Sequence, residues 1–187
     1  APNFDSFIIT NQLAKLKAFC IQYECTAYRS NVFFSIEDLH VAYEQATATR
    51  EYRNAIDNSM AINGVSERIP IYRFTDVFVF LLGDSRKTAQ HLIEFTAENS
   101  HLDIIERLQL DNKVCDLKVL YQYLVNERKS TPTAEQLHMH RNNVLHRVQS
   151  IEKRYYLDLD NHFTRQYLLA CFRLKINRSA KFRKLLL

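Results

Sequence analysis

Helix breakers are scarce in this chain of 187 residues: it holds 2 Gly and 3 Pro, and no Trp at all. Gly64 and Gly83 stand 19 positions apart, so no glycine-rich loop exists. That excludes the phosphate-cradling P-loop and the dinucleotide fingerprint, since both need several glycines for close backbone approach. It also disfavours turn-dense all-β folds and favours helices. Long apolar runs are missing too. Val77 to Leu82 spans only six residues, far short of a membrane span. No charged-then-apolar signal segment opens the chain, so a cytoplasmic location is expected. Cys20, Cys25, Cys115 and Cys171 form no C-x-x-C pair, which argues against zinc and redox motifs. They read as reduced, inert, buried thiols.

What remains is an ordinary globular composition, 47% hydrophobic and 25% charged. The charge is unevenly laid out. Residues 1–112 carry 10 Lys+Arg and 15 Asp+Glu, a net of −5. Residues 113–187 carry 15 and 6, a net of +9. An acidic half joined to a basic half suggests a regulatory body with an arm for a polyanion. Charge alone does not single out DNA, because a solvated Lys-rich surface gives the same count.

The first half alternates short strand-like runs with helical patterns, and the expected class is α+β with a small sheet. Phe7-Ile8-Ile9 reads as strand, so the chain is expected to open inside an element and to be a piece of a longer protein. Gln12 to Cys20 reads as a helix with Leu13, Leu16 and Cys20 on one face. Tyr23 to Tyr28 looks extended. Ser35 and Asp38 are spaced as a capping box, followed by Leu39, Ala42, Tyr43 and Ala46 at i, i+3, i+4, i+7, an amphipathic helix. Ile69 to Tyr72 reads as strand, while Val77 to Leu82 fits a buried strand or a buried helix equally. Glu37 and Asp38 are adjacent and diverge on a helix, so they suit a cap better than acid–base chemistry. No catalytic or metal-ligating set emerges, and neither an enzyme nor a cofactor is expected.

The second half carries the functional signal. Leu117, Leu120, Tyr121 and Leu124 mark a helix from about 113 to 127. After a polar break, Thr133 reads as the cap of a short helix over 134–138, with Gln136 as its box partner. A tight turn around His138-Met139-His140, with His138 where glycine is usual, leads into a long helix from about Arg141 to Tyr155. Short helix, tight turn, long helix is the helix-turn-helix arrangement. With Val144 at zero on a wheel of roughly 100° per residue, Val148, Ile151 and Tyr155 fall within roughly 40° of it. Asn142, His146, Gln149 and Lys153 fall roughly 140–200° away. Such a face suits a major groove, where amides pair with adenine and Arg141 reaches guanine or a phosphate. The outer face carries no acid before Glu152, as phosphate repulsion would require. His140 and His146 are six apart on different faces, so a metal site is not expected. Phe163, Tyr167, Ala170 and Leu174 define a last amphipathic helix over 161–176. The tail holding Arg178, Lys181, Arg183 and Lys184 reads as a frayed basic terminus.

Leu120-Tyr121-Gln122-Tyr123-Leu124, Thr133-Ala134-Glu135-Gln136-Leu137 and His140 to Val148 carry a family resemblance, continued by Ile151-Glu152 and Leu157-Asp158-Leu159. The stretch from Val114 to Ile176 resembles the C-terminal helix-turn-helix domain of the PucR/CdaR family of bacterial transcription regulators. Two positions depart from the family: Asn143 replaces its usual Thr, and Arg154-Tyr155-Tyr156 replaces a Gly-containing helix end. Residues 34–39 and 42–46 resemble, more weakly, the GGDEF-like domain that precedes it. The cyclase loop of that domain is absent, which argues against cyclase activity, and 75–82 is implied to be helical.

The chain therefore reads as a GGDEF-like regulatory or dimerisation domain over 1–112 and a DNA-binding domain over 113–187. The expected function is a sequence-specific regulator whose Arg141, Asn142, Asn143, His146 and Gln149 read bases. Thr133, Arg147 and Lys153 are expected to hold phosphates. Double-stranded DNA and a second copy are the expected partners, with a small-molecule effector acting through a sensor domain outside this chain. The rival reading is a signalling module whose degenerate cyclase-like domain binds a nucleotide or an acidic protein.

Overall fold

The computed structural model describes residues 6–31, 33, 36–62, 69–98, 105, 108, 113–155 and 157–186. Helix dominates them. In the first half the order is α1 (Ser6–Gln22), β1 (Ala27–Arg29), α2 (Leu39–Glu51), α3 (Arg53–Ile62), β2 (Ile71–Arg73), α4 (Phe74–Leu81) and α5 (Lys87–Glu98). The second half contributes α6 (Val114–Val125), α7 (Ser130–Gln136), α8 (Arg141–Tyr155), α9 (His162–Arg178) and α10 (Ala180–Leu186). Among the described residues none forms a helix long and apolar enough to cross a membrane.

The α+β expectation rests on a two-stranded parallel sheet with Tyr28 opposite Tyr72 and Arg29 opposite Arg73. Its two strands are joined through α2 and α3, the helical crossover that parallel pairing requires. The two tyrosine rings stack at 5.7 Å on one face. Residues 7–9, expected as strand, lie inside α1 instead. Their strand propensity yields to the helical run that continues through Cys20, since context outweighs propensity over three residues. Val77 to Leu82 is resolved in favour of helix: at the start of α4 the Asp76 carboxylate accepts from the Arg73 backbone N–H at 3.0 Å.

A 3-10 turn over Ile36–Asp38 leads into α2. The expected Ser35–Asp38 capping box rests on Ser35, which lies outside the described residues. The expected apolar face is the buried one only in part. The buried face is Val41, Ala42, Gln45, Ala48 and Thr49, whereas Leu39 and Tyr43 are exposed. Small Ala and Thr side chains let α2 approach β1 and α4 closely, and that contact turns the larger Leu39 and Tyr43 outward.

One hydrophobic cluster runs through both halves. Phe74, Val77, Phe78 and Leu81 of α4 are all buried, and α9 lies against them. Phe78 meets Tyr167 edge-on, with centroids 5.1 Å apart. The Tyr167 hydroxyl accepts from the Asn31 amide at 2.9 Å, a bond that spans the two halves. Burying each such aromatic stabilises by about 1.5–3 kcal/mol. The tail does not fray: it forms α10, where Phe182 and Leu186 are buried and stabilise it against α6 and α9. Of the four thiols, Cys20 and Cys171 are buried as expected, but Cys25 is half-buried and Cys115 exposed.

Candidate nucleic-acid interface

Helices α6, α7 and α8 form a compact unit in which each packs on the other two. Leu117, Leu120 and Leu124 of α6 supply its floor, Ala134 of α7 the close approach, and Val144, Val148 and Ile151 of α8 the facing stripe. All seven are buried. The expected stripe of α8 is thus the observed one, with Tyr155 half-buried at its end.

Two left-handed turns set the angles between these helices. Glu127 and Arg128, with φ of 52° and 66°, separate α6 from α7. His138, with φ of 50°, separates α7 from α8. At this second turn the Met139 N–H donates to the Ala134 carbonyl at 2.9 Å and the His138 N–H to the Glu135 carbonyl at 3.3 Å. That pair of bonds is a Schellman closure, which normally recruits glycine at the left-handed position. With so few glycines in the chain, His138 takes that conformation.

Thr133 does not cap α7. The helix begins earlier, at Ser130, with Pro132 in the first turn, where its missing N–H costs nothing. Thr133 is therefore interior and fully buried. Its hydroxyl donates to the Lys129 carbonyl at 2.8 Å and accepts from the Asn126 amide at 3.2 Å. Buried and doubly bonded, it cannot reach a phosphate. The expected box partner Gln136 is also engaged elsewhere, accepting from the same Asn126 amide at 2.8 Å. Asn126 was missed from the sequence. Its only advance signal was an amide beside a helix end.

On α8 the side chains separate cleanly. Arg141, Asn142, Asn143, His146, Gln149 and Lys153 are exposed, together with Ser150 and Arg154. Arg141 donates through Nε to the Ser130 hydroxyl at 3.0 Å, which holds its stem toward α7. The Asn142 backbone N–H donates to the His140 ring at 3.3 Å, partly capping the helix start. Arg147, expected on a phosphate, is half-buried and its guanidinium donates to Asp116 of α6 in an ion pair. The acid on α8, Glu152, is turned toward the following loop and accepts from the Leu159 N–H at 3.1 Å. The outer surface of α8 therefore presents amides, an imidazole and cations. Among the described residues no group of three His, Cys, Asp or Glu is placed to hold a metal ion.

Residues 117–174 match the PucR C-terminal helix-turn-helix domain, and the matched span runs from α6 through most of α9. The chain is 28% identical over 118 residues to the proline-responsive transcriptional activator PutR of Bacillus subtilis (strain 168). That alignment covers 62% of this chain and 28% of the relative, so the chain spans well under a third of that protein's length. No solved structure matches.

Proposed function

We propose that the chain is a sequence-specific, double-stranded-DNA-binding transcription regulator that inserts α8 into the major groove. The observation that carries this is the division of α8: Val144, Val148 and Ile151 are buried, while Arg141, Asn142, Asn143, His146 and Gln149 stand in solvent with no acid among them. In this reading those five residues contact base edges. Asn and Gln amides bond bidentately to adenine, and Arg141 bonds to guanine. Lys153, and Arg154 beside it, meet phosphates. Thr133 and Arg147 have structural duties instead.

Support comes from the match to a helix-turn-helix domain and from the likeness to a protein named as a transcriptional activator. The regulator acts in the cytoplasm as a homodimer, so that two copies of α8 address half-sites about 34 Å apart or a multiple of it. The first half is the signalling or dimer-forming body, a degenerate GGDEF-like domain, and an effector acts through a sensor outside this chain. Fluorescence anisotropy of the full chain with labelled duplexes tests the reading. Binding that weakens steeply with salt and prefers one sequence supports it. Affinity that ignores both salt and sequence defeats it.

A further inference from the structure

A cavity of about 810 Å³ lies between β2, α3 and α4 of the first half and the start of α9 in the second. Its size and its mixed lining are those of a small-molecule pocket. Ile56, Met60 and Phe163 give it apolar walls, while Lys17 and Arg73 bring cations to it.

The charge around it is out of balance. Arg73 donates to Asp76 through Nε and one Nη, at 3.0 and 2.6 Å. Opposite Arg73 across the sheet stands a second arginine, Arg29. Side chains alternate along a strand, and Ile71 and Arg73 both line the cavity, so Arg29 lies on the cavity's face of the sheet. The Nε of Arg29 is buried and has no hydrogen-bond partner among the described residues. Burial and the neighbouring Arg73 depress its pKa, and Asp76 only partly offsets them. The other carboxylate on the lining, Asp160, is engaged by Arg128. Among the described residues, Lys17 and Arg73 share the lining with Asp76 and Asp160, and Arg29 beside Arg73 adds a third cation to these two carboxylates. A buried guanidinium N–H with no acceptor is costly unless an anion joins it.

We propose that the cavity binds a small organic anion: a carboxylate on an apolar body, its charge met by Lys17 and Arg73 over Arg29, its body enclosed by Ile56, Met60 and Phe163. This site is separate from any effector site on an upstream domain, and it does not depend on the reading of α8.

The test is isothermal titration calorimetry on the full chain without DNA. The probes are hexanoate, octanoate and phenylacetate, each set against its neutral amide. At least one carboxylate is expected to bind with Kd below about 1 mM, and its amide at least about tenfold more weakly. Arg29→Met is expected to lower carboxylate affinity about tenfold and leave amide affinity unchanged. Lys17 is exposed, so Lys17→Gln keeps the fold and carries the test alone if the Arg29 variant does not fold. A loss of about threefold or more in Lys17→Gln is expected. Three outcomes each overturn the proposal: no carboxylate binds below about 1 mM, amides bind as well as carboxylates, or Lys17→Gln retains full affinity.

Discussion

Arg147 of α8 and Asp116 of α6 form an ion pair, with Asp116 largely covered and Arg147 about two-fifths exposed. The pair ties α8 to α6 and orients the Arg147 guanidinium toward Asp116. Asp116→Asn keeps the shape and removes the charge. It is expected to destabilise by about 1–2 kcal/mol in urea titration, the pair being part-exposed. The slope of log affinity against log salt should not change, because no phosphate contact is lost.

Thr133 offers a sharper contrast between reading and structure. Thr133→Val keeps the volume but strands the Asn126 amide that bonds to it. A stability loss of about 1–2 kcal/mol is expected by thermal or chemical denaturation. If Thr133 bonded a phosphate, affinity for all duplexes would fall alike as well, with the salt slope unchanged because the hydroxyl is neutral. The buried hydroxyl predicts that it does not.

His138 occupies a left-handed backbone position, where a Cβ costs roughly 1–2 kcal/mol. Glycine there gains flexibility in the unfolded chain, which offsets part of the relief. His138→Gly is therefore expected to stabilise by about 0.5–1 kcal/mol, read as a higher urea midpoint with an unchanged m-value.

Variants of Asn142 and Lys153 test the proposed division between base and phosphate contacts. Asn142→Ala is expected to cost about 1–3 kcal/mol on the preferred duplex and to relax preference at one base pair. Lys153→Ala is expected to weaken all duplexes alike and to reduce the salt slope by about one. Competition binding on single-base variants, repeated at several salt concentrations, distinguishes the two.

The second half was largely legible in the sequence because its helices carry long periodic patterns. The α8 limits, its buried stripe and its polar face all follow from a 3.6-residue period sustained over fifteen residues. Short segments were not legible in the same way. Phe7-Ile8-Ile9 has strand-forming residues but sits in a 17-residue helix, whose continuity outweighs them. Leu39 and Tyr43 share a face at helical spacing, yet α2 buries the adjacent face of smaller residues because that face fits its neighbours. The Thr133 spacing imitates a cap, but a start at Ser130 moves it into the interior. The tail looked like a solvated basic run because its anchors, Phe182 and Leu186, are only two residues among cations. Tertiary ties such as Arg147 to Asp116, 31 residues apart, leave no local mark.

The most direct test of the recognition-helix assignment is selection of binding sites from random duplex DNA by the full chain, repeated with Asn142→Ala. The account predicts an enriched motif of two half-sites spaced by about 34 Å or a multiple, with the variant losing preference at one position in each half-site. No enriched motif, or a motif unchanged by Asn142→Ala, would contradict it.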